Sequence, residues 1–356
     1  MELEEARGQS SRSPAWADGE PVTAAPSREG RPATIYDVAA AAGVSHQTVS
    51  RFLRGFEGIR PETRARVTAA LDALGYRPNM TARSLKSGRS HRIGALTHES
   101  SQVGPTRIAE AASAAAREAG YILDLISLDM RSSHAIDDAL DQLTQHSLAG
   151  ILALASTDEM VRAVADADFR VPIFLETEVD EPTSFSETGV TELVEHLAGL
   201  GHRRFLHIAG PPNWSSARGR QRAYEAAIAR LGLTSTALLH GDWTAASGYQ
   251  ALASRRDVMA ATAVIAANDQ MALGAMLALK ESGRRIPEDV SVVGLDDIPE
   301  AAYFDPPLTT LRNDFDRTGR EAVLALIARI EGRPVPARSA QPPLLVTRRS
   351  SGPAPS

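Results

Sequence analysis

The sequence predicts an N-terminal all-α head of helix-turn-helix type followed by an α/β core built from two doubly wound parallel-sheet subdomains. Three observations carry that expectation. Residues 34–53, TIYDVAAAAGVSHQTVSRFL, have the apolar spacing of two short helices joined by a tight turn. From Arg92 onward, short apolar runs alternate with helical patterns, as in parallel sheets covered by helices. Charge is also divided unevenly. Between Arg31 and Arg92 eleven basic residues stand against four acidic ones, +7, so the rest of a chain of net charge −6 carries −13. A basic head on an acidic body implies that only the head meets phosphate.

Size and composition bound the function classes. A chain of 356 residues is too long for one ordinary domain, and 43% hydrophobic residues support a sizeable core. The absence of cysteine excludes disulfides, thiolate catalysis and thiol-rich metal sites. No run of 18 apolar residues occurs and the N-terminus lacks the apolar stretch of a signal peptide, so a cytoplasmic protein without a membrane partner is expected. There is no metal-ligand cluster, phosphate loop or nucleophile elbow, and neither a cofactor nor a metal is expected.

Taken in order, residues 1–32 are rich in Ser, Pro, Gly, Glu and Arg without an apolar period and read as a disordered tail. Tyr36 to Ala42 forms a first helix with Val38 and Ala42 on one face. Gly43 sits where a left-handed residue ends it, and Ser45 is a suitable N-cap for a second helix, His46 to Leu53. Ala39, Val44, Val49 and Leu53 pack the pair crosswise and leave Ser45, His46, Gln47, Ser50 and Arg51 facing outward. A second helix with such a face suits the major groove of DNA. Pro61 opens a third helix that runs to about Leu74, with Val67, Leu71 and Leu74 inward and Gly75 at its end. Asn79 to Ser87 is polar apart from Leu85, too short to persist as a helix alone, and would fold only against a partner. Strands are expected at Ile93–Leu96, Ile122–Ile126, Gly150–Leu154, Ile173–Leu175, Phe205–Ile208, Ala263–Ala266 and Ser291–Leu295, with helices such as Ile108–Ala119 and Gly219–Leu231 between them. Two such sets, divided near residue 185, imply a cleft, and ligands in such sheets sit at the carboxyl ends of strands.

Several stretches, YDVAAAAGVSHQTVSR, ALDALGYRPN, the Leu85 segment, EHLAGLGHRRF, GDWTAASGYQ, AANDQMALGAM, VSVVGLDDI and PPLTTLRNDF, resemble the LacI/GalR family of transcriptional regulators. They run from about Ala33 to Arg349. The resemblance implies a head at residues 33–78, a hinge at 79–91 and a periplasmic-binding-protein-type, effector-binding core at 92–349. The first subdomain would take about 92–187 and 316–339, the second about 188–315 and 340–349, leaving 350–356 as a second disordered tail. It also implies a homodimeric repressor of a palindromic operator in double-stranded DNA, with affinity set by a small effector.

By that resemblance His46, Gln47 and Arg51 touch base edges, which agrees with Gln pairing to adenine and Arg to guanine. Thr34, Ser45, Thr48, Ser50 and Asn79 suit phosphate contacts. Leu85 would wedge into the minor groove, with Ala82 one turn before it. Packing of Leu85 against the dimer mate is a compatible second role.

In the core, Glu176, Arg220, Trp243, Asn268 and Asp296 fall beyond strands or in segments matching the family pocket. Arg donates through a rigid fork, Asp and Glu accept, Asn does both, and an indole covers the C–H face of a sugar ring. His98, Gly104, Pro105 and Phe315 align with walls from the opposite side, and Asp297 reads as a neighbouring structural carboxylate. A nucleobase effector would favour aromatic rings on both faces, for which Trp243 is the one clear candidate; Trp243 as plain subdomain core is the other reading. Against the family's galactoside-responsive pattern, this chain has Glu176 for Asp, Asn313 for Gln, His98 for Ser, His46 for Tyr and Ala223 for Gly, and Glu181–Gly189 is short. The donor, acceptor and indole set suits a sugar, so a galactoside or related saccharide is the expected effector. These departures make the galactoside itself a hypothesis rather than a reading. Two rival classes are a sugar-binding protein serving a transporter and an enzyme using Glu176 and Asp296 as acid and base. The first lacks an export signal and has a DNA-reading head, and the second lacks any other catalytic group, so no enzyme is expected. No leucine heptad follows Arg349, which leads to a dimer rather than a tetramer.

Overall fold

The structure is a computed structural model that describes residues 33–53, 55–76, 90–98, 102–128, 138–139, 141–143, 147–154, 157–176, 185–253, 260–338 and 343–355. Asn79, Ala82, Leu85, the other residues of the expected hinge up to Arg89 and the tail 1–32 lie outside the described residues. The chain divides into two compact units, residues 1–86 and 87–356.

In the first unit, α1 (Ile35–Ala42), α2 (His46–Leu53) and α3 (Pro61–Ala73) surround a small core. Thr34 and Asp37 cap α1 reciprocally: the Asp37 amide donates to Thr34 Oγ1 at 3.4 Å and the Thr34 amide donates to Asp37 Oδ2 at 2.7 Å. Gly43 closes α1 at φ 62°, a conformation that a Cβ would strain. Ser45 Oγ then accepts the Thr48 amide at 3.2 Å and starts α2. Val38, Ala39, Ala42, Val49, Val67 and Ala70 are buried together, with Val44, Leu53, Leu71 and Leu74 half-buried around them.

The second unit holds two sheets. β1 (Arg92–His98), α4 (Val103–Glu118), β2 (Ile122–Leu128), β3 (Gly150–Leu154), α5 (Asp158–Asp166) and β4 (Ile173–Glu176) make the first, an all-parallel sheet of order β2-β1-β3-β4. Then follow α6 (Phe185–Gly199), β5 (Arg204–Ala209), α7 (Ser215–Arg230), β6 (Thr234–His240), α8 (Ala245–Ala253), β7 (Ala263–Ala266), α9 (Asp269–Glu281), β8 (Ser291–Asp296) and β9 (Thr309–Arg312). α10 (Phe315–Ile330) returns to the first sheet, and β10 (Leu344–Val346) completes the second, whose order is β10-β9-β8-β7-β5-β6 with only β10 antiparallel. Among the strands buried on two faces, β3, GILAL, and β7, AVIA, are continuous apolar runs, while β5, β8 and β9 also bury polar residues such as His207, Ser291 and Thr309.

Close helix contacts explain several small residues. A Cβ on Gly319 of α10 would lie 2.1 Å from the Ile108 carbonyl of α4, and one on Gly274 of α9 would lie 1.8 Å from the Ala245 carbonyl of α8. Helices at such distances exclude any side chain at the crossing.

The C-terminal segment corrects the expectation of a disordered tail from residue 350. Ser350 is fully buried, its Oγ donating to the Val292 carbonyl at 2.6 Å and accepting the Thr309 amide at 2.8 Å. The Ala354 amide donates to the Leu200 carbonyl at 2.9 Å. These residues satisfy backbone and hydroxyl groups along β8 and α6 by hydrogen bonding, which leaves no apolar period to read in SSGPAPS.

Candidate DNA-reading face and effector pocket

On the head, the outward face of α2 assembles as its sequence implies. His46, Gln47 and Arg51 are exposed, as is Ser45, while Thr48 and Ser50 are half-buried beside them. Ser45 Oγ and Thr48 Oγ1 lie 3.0 Å apart, so both hydroxyls serve the cap while remaining at the surface. Thr34 has the same double position at the start of α1. Two neighbours that the sequence reading missed shape this face. Tyr36, 66% exposed, holds its ring 5.1 Å from the His46 ring, and the Arg51 guanidinium lies 5.7 Å from the Phe56 ring centre. An aromatic residue inside a helix normally signals core, which concealed Tyr36.

In the core, strand order in the second sheet reverses at β5, so the carboxyl ends of β5 and β7 open a crevice where ligands bind in such sheets. Four of the expected residues meet beside it. Arg220, in the middle of α7, is 5% exposed; its guanidinium lies 5.5 Å from the Trp243 ring centre and 3.8 Å from Asp296 Oδ1, and donates to the Ala267 carbonyl. Asn268 caps α9, its Oδ1 accepting the Met271 amide at 2.9 Å and its Nδ2 donating to the Trp243 carbonyl at 2.9 Å. Trp243 adopts φ 71° and packs its ring on Gly210, where any Cβ would approach it to 2.2 Å.

Trp243 is also part of the apolar cluster that includes Trp214, whose ring meets it edge-on at 5.3 Å and 64°. The core reading of Trp243 thus describes part of its environment. Its indole Nε1 is buried without a hydrogen-bond partner. An orphaned donor of this kind costs about 1–3 kcal/mol, which an acceptor oxygen on a ligand would offset.

Asp296 ends β8 with φ 107°, and Asp297 follows with φ 51°. Asp297 is structural, as expected: its carboxylate pairs with Arg312 at 2.8 Å and Arg348 at 2.6 Å. Behind them lies Asp269, fully buried, which the sequence reading missed because it sits one residue past the Asn268 cap. Its burial and the nearby Asp296 carboxylate hold its carboxyl well above the usual range.

The remaining expected residues lie elsewhere. Glu176, at the end of β4, is engaged by Arg338 from the segment after α10. Pro105 is half-buried in the first turn of α4, and the buried Phe315 ring covers Gly104, with Arg107 stacked 5.9 Å from that ring. The backbone of His98 ends β1, and its side chain lies outside the described residues. The two subdomains touch near Thr157, which bridges to Trp214, while the Asp158 amide donates to the Asn213 carbonyl at 3.3 Å. Arg218 closes this contact on Asp158 at 2.6 Å. Among the described residues no cluster of His, Asp and Glu could hold a metal ion, and no helix is long and apolar enough to cross a membrane.

Comparison with known proteins follows the same division. Residues 34–79 match bacterial regulatory proteins of the lacI family, and residues 194–351 match the periplasmic binding protein-like domain. The chain is 35% identical over 328 residues to the lactose operon repressor of Escherichia coli (strain K12), covering 90% of this chain and 91% of that one. It is 32% identical over 333 residues to the HTH-type transcriptional repressor PurR of Photorhabdus laumondii, covering 89% and 96%. A crystal structure of the lac repressor dimer bound to operator and the anti-inducer ONPF superposes with TM-score 0.79 at 34% identity, over 90% of this chain and all of that one. With this similarity along nine-tenths of its length, the chain belongs to the lacI family of DNA-binding transcriptional repressors, which are not enzymes.

Proposed function

We propose that this repressor works as a homodimer on a palindromic operator and that a small saccharide, a galactoside or close relative, sets its operator affinity. The observation that carries the effector class is the buried quartet of Arg220, Trp243, Asn268 and Asp296. It offers a donor fork, an acceptor, an amide and an indole face without a fixed net charge for an ionic ligand, which matches a neutral polyol. Phe315, Pro105 and His98, at the carboxyl side of the first sheet, supply the opposing wall, and Glu176 adds an acceptor when Arg338 yields it. A nucleobase is the second reading. The 64° angle between Trp214 and Trp243 disfavours it, since a flat base wants parallel rings.

On the head, His46, Gln47 and Arg51 read base edges, Thr34, Ser45, Thr48, Ser50 and Asn79 hold phosphates, and Leu85 with Ala82 enters the minor groove. Dimer formation is supported by exposed apolar side chains on edge strand β2, Ile122 and Leu125, and on α9, Leu273 and Leu277. Saccharide in the cleft favours one orientation of the two subdomains, and this population shift changes the spacing of the paired hinges and loosens the heads. Calorimetry and Trp emission across a panel of galactosides, glucosides and nucleobases test the assignment. Micromolar binding of a galactoside is the expected result, whereas binding of a nucleobase alone overturns it.

A further inference from the structure

Two consecutive non-glycine residues in left-handed conformations, Asp296 at φ 107° and Asp297 at φ 51°, require surrounding structure to hold them. Asp297 has its own anchors in Arg312 and Arg348. What fixes the other end of the bend is Asp269, at the first residue of α9. Its Oδ2 accepts the Ile298 amide at 2.9 Å, immediately after the bend. Its Oδ1 accepts the Thr310 hydroxyl of β9 at 2.6 Å. The carboxyl also lies flat against β8, since a Cβ on Gly294 would come within 2.2 Å of Oδ1. One buried side chain thus ties the helix carrying the Asn268 cap, the bend carrying Asp296, and the neighbouring strand.

We infer that Asp269 is a positioning residue of the effector site, holding Asp296 against Arg220 by clamping the bend through Ile298 and Thr310. This rests on the reading of Arg220, Trp243, Asn268 and Asp296 as the saccharide pocket. The role is one of hydrogen-bond geometry, not of charge. An asparagine at 269 keeps it, because the amide oxygen accepts from Ile298 while Nδ2 donates to Thr310 Oγ1. An alanine loses both bonds.

The experiment compares the full-length protein with D269N, D269A, D269L and T310V. Amide exchange over residues 291–300 reads the clamp directly and needs no ligand. Titration with isopropyl β-thiogalactoside, lactose, melibiose and cellobiose, followed by calorimetry, reads its effect on the site. Expected is at least tenfold faster exchange and tenfold weaker sugar binding in D269A, with D269N within threefold of wild type on both counts. D269L, which fills the space without accepting either hydrogen bond, separates the clamp from a merely space-filling role: impairment like that of D269A is expected, and exchange and binding like those of wild type would overturn the inference. Should D269A fail to fold, T310V, which removes one anchor and keeps the carboxyl, carries the test with a smaller loss of the same sign. Unchanged exchange in D269A or T310V overturns the inference, as does a D269N variant as impaired as D269A. If wild type binds none of the sugars, the saccharide reading fails while exchange still decides the clamp.

Discussion

In the proposed effector pocket, Arg220 is the side chain on which the electrostatics depend. It is buried with Asp296 at 3.8 Å, so replacing it with methionine leaves a carboxylate in a low-dielectric site. The expected cost is about 3 kcal/mol of stability in denaturant unfolding, with sugar binding lost and operator binding kept at temperatures where the protein is folded. On the head, Gln47→Ala and Arg51→Ala should each relax preference at one base of the half-site by about 1–3 kcal/mol, read by competition binding with single-base operator variants. Thr48→Ala, at a proposed phosphate contact, should instead weaken all sequences alike. Trp243, Asn268 and Asp296 were legible because polar or aromatic residues at strand ends of an α/β pattern stand out, whereas Arg220, in the middle of α7, was reached only through the family resemblance of its segment. The engagement of Glu176 was not legible: its partner Arg338 lies 162 residues away on a different segment. Asp269 was hidden for a related reason, since a carboxylate in the first turn of a helix is ordinarily explained by the helix dipole alone.

Among the elements, the pair α8 and α9 has the least tolerance. Gly274→Ala would drive a Cβ to 1.8 Å from the Ala245 carbonyl, and backbone atoms yield little. A loss of about 3 kcal/mol or more is expected in thermal unfolding, and a loss below 1 kcal/mol would show that the helices separate freely. The contact between Asp158 and Arg218 is the opposite case: both side chains are partly exposed, so Asp158→Asn should leave stability within about 1 kcal/mol. All seven strands that the sequence predicts appear, because each is a mostly apolar run, interrupted only by Asp124 in β2, His207 in β5 and Ser291 in β8. Strands β6, β9 and β10 went unread. β6 is an edge strand with the polar start Thr234-Ser235-Thr236, β9 lies among threonines, and β10 has only three residues with half-exposed side chains. Edge and polar strands carry little hydrophobic contrast, and their pairing is decided by the sheet they join.

At the scale of the molecule, the second sheet makes stability depend on pH. His207 is fully buried against Tyr224, and desolvation pushes its pKa down to about 4 from an ordinary 6.5. The unfolded chain therefore takes up a proton below 6.5 that the folded chain refuses until about 4. Stability from this group is complete above 6.5 and is lost as pH falls toward 4, by about 1.4 kcal/mol per unit. His202 and His196 shift in the same direction by burial, while Asp269, raised, acts in the opposite sense. Midpoints of unfolding should fall between pH 7 and pH 5, and less steeply in His207→Phe; an identical slope would remove His207 as the cause. Assembly is the second molecular property. Leu125→Glu and Leu277→Glu place charge on the exposed apolar surfaces of β2 and α9, and sedimentation should show monomers that no longer hold operator.

The most direct measurement of the whole account is fluorescence anisotropy of a labelled palindromic operator titrated with the intact protein, alone and with each sugar of the panel. Expected are nanomolar binding at physiological salt, at least a hundredfold preference over a scrambled duplex, and release by one saccharide but not by Arg220→Met protein given the same sugar. Equal affinity for operator and scrambled DNA from every candidate promoter, unaltered by any sugar, would contradict it.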